Sequence, residues 1–197
     1  MVLSERATFD IAVRLRSRQG IALGEVFAFV SGLYFKGKLA YALKFARPPE
    51  PGAPLAGSGA LVITPTAGLR PAETRVTGDA LRTFAGVDIA ANDPRYRQPL
   101  LVSARALAEE VGPDCEIVLL GSIASAKYVD VLREVFGQRL LFPIAFVGRG
   151  DMSRGGLLLR CVRSGEELEY VPVEGAVRHG PRPPKLVPIR GITKFIG

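Results

Sequence analysis

The chain has 197 residues, 48% hydrophobic and 23% charged, a composition that is typical of a folded protein and argues against disorder. This length suits one hydrophobic core and not two, so we expect a single domain over residues 1–197 with its core at about residues 20–147. The formal net charge of +7, from 26 basic and 19 acidic residues, favours phosphate-rich partners.

Helices and strands are predicted to alternate along the first third of the chain. Residues 7–18 favour a helix, although their apolar residues also alternate as in a strand. The run V-F-A-F-V, residues 26–30, predicts a buried strand, and residues 33–45 predict a basic helix. Residues 48–59, rich in proline and glycine, predict a surface loop, and residues 60–64 predict another buried strand that leads into a polar loop.

The middle of the chain repeats this alternation. A short helix is expected from Asp79 to Phe84, and a longer one from about Arg95 to Val111. Residues 117–120, I-V-L-L, suit a strand that is buried on both faces. A helix capped by Ser122 or Ser125 is expected to follow directly.

The last third is predicted to add strands. Residues 139–142 form a further short strand, and two alternating runs predict a β-hairpin over residues 156–173. The basic tail, residues 178–197, is rich in proline and is expected to be extended. Together these elements predict an α/β fold: a single three-layer Rossmann-like domain with a mainly parallel sheet and a C-terminal β-hairpin.

In such a fold, the loops that follow the strands meet at the carboxyl edge of the sheet, where ligands bind. Arginine, backbone N–H groups and tyrosine suit the phosphate, sugar and base of a nucleotide. Glu73 and Asp151 are the candidate catalytic carboxylates; each can act as a base or nucleophile, or instead orient a neighbouring arginine. The candidate ligand-binding residues are Ser31, Tyr34, Lys36, Gly68, Arg70, Arg75, Gly121, Ser122, Lys127, Tyr128, Arg149 and Arg154.

Other kinds of site find no support in the sequence. It contains no G-x-G-x-x-G motif after a strand and no phosphate-binding G-x-x-x-x-G-K-[ST] motif. Cys115, Cys161 and the single His179 have no metal-ligand spacing, so we predict no metal and no cofactor. The sequence shows neither a signal-peptide pattern nor an apolar segment of membrane length, which predicts a cytoplasmic protein without a membrane partner.

Three segments between Val26 and Phe142 carry a resemblance to known domains: V-F-A-F-V-S-G-L-Y-F-K-G-K-L-A-Y-A, A-L-V-I-T-P-T-A-G-L-R-P-A-E-T and I-V-L-L-G-S-I-A-S-A-K-Y-V-D-V-L. They resemble the YaaA-like group of bacterial and phage α/β domains. Ser31 and Gly32 stand where these domains often have Cys and Lys. The resemblance implies a Rossmann-like fold and a connection to nucleic acids or nucleobases.

These observations predict a protein that binds a phosphate-bearing nucleotide or nucleic-acid ligand at the carboxyl edge of the sheet. Action on the glycosidic or phosphoryl bond of that ligand is compatible with the sequence, which leaves open whether the protein is an enzyme. One alternative is a non-catalytic module that binds nucleic acid through its basic surface. The other is a small-molecule enzyme outside nucleotide metabolism.

Overall fold

A computed structural model describes residues 3–4, 6–124 and 126–186, so the predicted cap Ser125 and the end of the basic tail lie outside the described residues. The described helices are α1 (Asp10–Arg16), α2 (Leu23–Val30), α3 (Gly32–Phe45), α4 (Gly78–Ala85), α5 (Pro94–Val111), α6 (Ala126–Phe136) and α7 (Asp151–Ser164). The described strands are β1 (Ile21–Ala22), β2 (Leu61–Thr64), β3 (Gly68–Pro71), β4 (Arg75–Val76), β5 (Ile117–Val118), β6 (Leu140–Pro143) and β7 (Tyr170–Pro172).

The described strands form three small sheets. β1 pairs with β4, and β2 pairs with β3, both antiparallel. In the third sheet β6 lies in the centre, parallel to β5 and antiparallel to β7. The prediction of a three-layer Rossmann-like domain with a mainly parallel sheet is therefore wrong, because β5 and β6 are the only parallel neighbours among the described strands.

The predicted strand at residues 26–30 is instead the second half of helix α2. Leu23 and Val26 are buried one helical turn apart, in a cluster with β2 and β4. The first N–H groups of the helix donate to carbonyl oxygens outside it, that of Leu23 to Thr74 and that of Gly24 to Ala72, each at 2.8 Å. Tertiary packing and these bonds outweigh the strand propensity of the V-F-A-F-V run.

The predicted C-terminal hairpin is also wrong, because residues 151–164 form helix α7. The buried residues Gly155, Leu158 and Cys161 recur every three positions, which places them on one face of a helix. Gly165, with φ +77°, ends the helix in the left-handed conformation, and its N–H donates to the carbonyl of Cys161 at 2.8 Å. Ser164-Gly165 is thus a helix C-terminus and not a hairpin turn.

Several other elements are confirmed. Helices α1, α3, α4 and α5 lie where the periodicity predicts them, as do strands β2 and β6. The strand predicted at residues 117–120 is limited to Ile117–Val118, and the predicted polar loop after β2 contains β3 and β4. None of the described helices has the length and apolarity needed to cross a bilayer.

The core has three parts. The largest packs α5 and α6 against the β5–β6–β7 sheet, around Leu100, Leu132 and Phe142. A second joins α1 and α2 to β2 and β4. The third lies between α3 and α7, around Tyr41 and Leu158, and it fixes these two helices beside the end of β5.

Candidate functional site

Three elements that are far apart in the chain meet beyond β5: helix α3, the loop that precedes α6, and the amino end of α7. Tyr34 of α3 and Tyr128 of α6 donate hydrogen bonds to carbonyl groups at this loop, and Arg154 of α7 lines a cleft beside Gly121. We call this group the Tyr34–Arg154 cluster. Its members are Tyr34, Lys38, Gly121, Ser122, Tyr128, Asp151 and Arg154.

Two tyrosines donate hydrogen bonds at the Gly121–Ser122 loop, one from a helix before the loop in the chain and one from the helix after it. The hydroxyl of Tyr34 donates to the carbonyl of Leu120 at 3.1 Å, and that of Tyr128 donates to the carbonyl of Ser122 at 2.7 Å. A Cβ atom at Gly121 would lie 2.7 Å from the Tyr128 hydroxyl, so only glycine allows this approach. Among the described residues no acceptor pairs with the N–H groups of Gly121 and Ser122, which leaves two donors for a ligand.

Arg154 is fixed at the second turn of α7. Its side chain is 13% exposed, and its Nε and Nη2 atoms donate to the carbonyl of Phe146 at 3.3 and 3.2 Å. Its Nη1 atom lies 3.4 Å from a carboxylate oxygen of Asp151. Because the guanidinium is already oriented by these contacts, it would lose little conformational entropy on binding an anion.

Lys38 adds a second cation to the cluster. Its Nζ atom lies 4.4 Å from the centre of the Tyr34 ring, and no ion pair joins it to any residue that the structure describes. Burial lowers the pKa of Lys38; the neighbouring Arg154 lowers it further, whereas Asp151 opposes the shift. An incoming anion would stabilise this ammonium group.

The two tyrosines of the cluster remain protonated at neutral pH. Burial raises the pKa of Tyr34, and Asp151 adds to the rise while Arg154 opposes it. Burial also raises the pKa of Tyr128, against its hydrogen bond to Ser122. Both hydroxyls therefore act as donors that keep the loop in place.

Sequence reasoning selected Lys36 and missed Lys38. Lys36 is exposed on α3, whereas Lys38 lies four residues after Tyr34 and so shares its face of the helix. The i, i+4 spacing of Tyr34 and Lys38 was the available signal.

The remaining candidates contact other parts of the structure. Glu73 accepts a hydrogen bond from Ser58 Oγ at 2.8 Å, and Arg75 donates to the carbonyl of Gln19 at 2.9 Å. Gly68, with φ +67°, packs against the Pro99 carbonyl on α5. Other predicted residues are exposed and form no hydrogen bond or ion pair with the cluster among the described residues: Ser31, Lys36, Arg70 and Lys127.

Arg149 lies in the loop before α7 and stabilises it. Its Nε atom donates to the carbonyl of Ala145 at 2.9 Å, and its Nη1 atom donates to Ser153 Oγ at 3.2 Å. The predicted meeting of the loops that follow the strands thus becomes a meeting of two loops, those before α6 and α7, with helix α3. In the described part of the chain no group of three or more His, Cys, Asp or Glu side chains is arranged to hold a metal ion.

Comparisons of the chain with protein-family models, with curated proteins and with solved structures found no match. The candidate site is therefore defined by its own geometry.

Proposed function

We propose that the Tyr34–Arg154 cluster binds the phosphate group of a nucleotide or of a nucleic-acid end. The observation that carries the proposal is the position of Arg154, with Lys38 close to it, beside a loop in which the N–H groups of Gly121 and Ser122 have no acceptor among the described residues. Backbone donors combined with a fixed guanidinium recur in protein phosphate sites.

The rest of the cluster supports a ligand larger than phosphate alone. The rings of Tyr34 and Tyr128 offer aromatic surface for a base or sugar. Gly150, the residue before α7, contributes no side-chain cap, so the amino end of that helix adds positive potential close to Arg154. The side chain of Asp151 is 69% exposed and orients Arg154 through an ion pair. Asp151 is also the carboxylate whose substitution would test whether the protein acts chemically on its bound ligand.

The experiment measures thermal stabilisation of the full chain by four ligands. These are inorganic pyrophosphate, adenosine 5′-monophosphate, a 5′-phosphorylated tetranucleotide and the same tetranucleotide without its phosphate. A ligand at a hundred times its Kd stabilises the folded state by about 2.7 kcal/mol. We expect the phosphorylated ligands to raise Tm and the unphosphorylated tetranucleotide to have little effect.

Variants assign the effect to the cluster. Arg154→Ala and Lys38→Met should each abolish most of the ligand-dependent rise in Tm. Arg163→Ala is the matched control, because Arg163 is an exposed arginine in the last turn of the same helix. Equal responses of all three variants, or no response of the unmodified chain to any phosphorylated ligand, would reject the proposal.

The same ligands separate binding at a pocket from general binding to nucleic acid. A module that contacts the phosphate backbone would bind both tetranucleotides, and its affinity would fall steeply with salt. A site for a terminal phosphate would distinguish the two at every salt concentration. The first result would favour the non-catalytic nucleic-acid module.

A further inference from the structure

The C-terminal segment after β7 returns to the candidate site. Residues 176–186 form neither helix nor strand, and part of this segment lies against the loop that leads into α7. Gly148, with φ +72°, packs against the carbonyl oxygen of Pro181. A Cβ atom at Gly180 would lie 2.7 Å from Val147 Cγ1, so the C-terminal segment and the loop before α7 are in close contact at two points.

This path brings Arg178 to the Tyr34–Arg154 cluster. A narrow cleft of about 10 Å³ beside Gly121 is lined by both Arg178 and Arg154, and apolar side chains form the rest of its wall. That volume holds about one water-sized group. No hydrogen bond or ion pair joins Arg178 to another residue within the described ranges.

Two arginines that line one small cleft bring like charges close together, and an anion bound between them would offset their repulsion. Asp151 is 3.4 Å from Arg154 and is the only carboxylate that forms an ion pair with either arginine among the described residues. Lys38 interacts with the charges of both Arg154 and Asp151, so cations outnumber carboxylates around Arg154. The local charge therefore favours a ligand with more than one negative charge.

We propose that Arg178 is a ligand-binding residue, and that the C-terminal segment closes over the cluster to place it against the anionic group held by Arg154. This inference rests on the proposed function, and it adds to it a ligand-binding residue and a movement of the C-terminal segment. The cleft is too small for a phosphate group as it stands. The segment therefore lifts to admit the ligand and closes with Arg178 in contact with it.

Calorimetric titration of the full chain with inorganic pyrophosphate tests the proposal. Arg178→Ala should raise Kd at least about tenfold, the effect expected for loss of one charge-assisted hydrogen bond. Arg182→Ala is the matched control, since Arg182 is an exposed arginine of the same segment and does not line the cleft; its Kd should change less than about twofold.

A third variant tests the position of the segment separately from its charge. Gly180→Val retains Arg178 but places methyl groups against Val147, which should displace the segment and also weaken pyrophosphate binding. The ligand-free Tm of Arg178→Ala should equal or slightly exceed that of the unmodified chain, because the described structure gives this side chain no bond to lose and its removal relieves repulsion with Arg154.

The possible negative results distinguish failure of the role proposed for the C-terminal segment from failure of the proposed function. If the unmodified chain binds pyrophosphate and Arg154→Ala does not, an unchanged Kd in Arg178→Ala overturns the role of the segment and leaves the proposed function intact. Equal weakening by Arg178→Ala and Arg182→Ala would also overturn it, since the effect would then be one of net charge. If pyrophosphate fails to bind while adenosine 5′-monophosphate or the 5′-phosphorylated tetranucleotide binds, the two-arginine anion site is rejected. If no phosphorylated ligand binds, the proposed function fails with it.

Discussion

Gly37 and Gly155 bring α3 and α7 into backbone contact: a Cβ atom at Gly37 would lie 2.8 Å from the carbonyl oxygen of Gly155. The approach is reciprocal, because a Cβ atom at Gly155 would lie 2.8 Å from the Cα atom of Tyr34. This close packing places Tyr34 and Lys38 beside Arg154. The geometry of the candidate site therefore depends on two glycines that touch no ligand.

Gly155→Ala should destabilise the protein by about 1–3 kcal/mol, the usual cost of overpacking a well-packed interior. The added methyl group meets backbone atoms of α3, which cannot rotate away as a flexible side chain can. Urea unfolding followed by circular dichroism measures the change. The same variant should weaken binding of phosphorylated ligands, because the helix that carries Tyr34 and Lys38 has to move.

Gly156→Ala is the control for this prediction. Gly156 occupies the next position in the same helix, and the nearest atom to its added Cβ would be Leu186 Cδ1 at 3.7 Å, an ordinary contact. Since alanine favours a helix over glycine by up to about 1 kcal/mol, Gly156→Ala should be neutral or stabilising. Similar changes in both variants would show that α3 and α7 are not in close contact.

Glu110 ties the proline-rich loop to helix α5. Its carboxylate accepts hydrogen bonds from the backbone N–H of Leu55 at 3.0 Å and of Ala56 at 2.6 Å. Glu110→Ala should destabilise the protein by about 1.5–3 kcal/mol, because it removes bonds to a charged acceptor. It should also accelerate proteolysis within residues 48–59, which limited digestion and mass spectrometry would locate.

Glu109→Ala provides a matched control for Glu110→Ala. Glu109 is the exposed neighbour on the same helix, so its removal should change the free energy of unfolding by less than about 0.5 kcal/mol. If both variants lose the same stability, the effect comes from the charge of α5 and not from the bonds to the loop.

The sequence predicts long periodic elements well and short apolar ones poorly. Helix α5 carries its apolar residues at helical spacing over 18 residues and begins at an Asp93–Pro94 cap, so the signal is strong. The eight residues of α2 suit a strand or a helix equally, and their bonds to Thr74 and Ala72 are not visible in the sequence.

The same limit explains the errors in α7 and at the site. Two adjacent glycines, Gly155 and Gly156, indicate a break in secondary structure when only the local sequence is considered. Gly155 is a glycine because α3 packs closely against it at Gly37, which is far away in the sequence. Residue type and neighbouring sequence are sufficient to select four of the candidate site residues: Tyr34, Gly121, Tyr128 and Arg154. Their meeting was predicted from a parallel sheet, whereas it arises from the packing of α3 on α7.

Removing the hydroxyl group should affect the stability of the protein differently at two buried tyrosines. The Tyr41 hydroxyl accepts from the Leu168 N–H and shares a hydrogen bond with Tyr170, both at 2.7 Å. The Tyr96 hydroxyl is buried and finds no partner among the described residues. Tyr41→Phe should cost about 0.5–1.5 kcal/mol because it leaves a partly buried N–H unpaired, whereas Tyr96→Phe should be neutral or stabilising.

Chemical denaturation of Tyr41→Phe and Tyr96→Phe at neutral pH compares the two directly. The substitutions are chemically identical and both sites are almost fully buried, at 2% and 0% exposure, so the transfer of apolar surface is matched. An equal loss of stability in both variants would mean that the Tyr41–Tyr170 network adds nothing beyond packing.

Alkaline pH should destabilise the protein through its tyrosines. All five, Tyr34, Tyr41, Tyr96, Tyr128 and Tyr170, have a pKa raised above the ordinary value of 10.0, with burial as the largest cause in each case. The folded state thus holds the phenolic protons more tightly than the unfolded chain. The resulting contribution to stability is complete below about pH 10 and decreases as the pH rises above that value.

Two measurements check this sign. The ultraviolet absorbance of phenolate should appear at higher pH in the native protein than in the same chain unfolded in urea. The free energy of unfolding should fall as the pH is raised above about 10, and the fall should be shallower in Tyr170→Phe, which removes one of the shifted groups. Coincident titration curves for native and unfolded protein would show that the tyrosines are solvated and that the Gly121–Ser122 loop is not held as described.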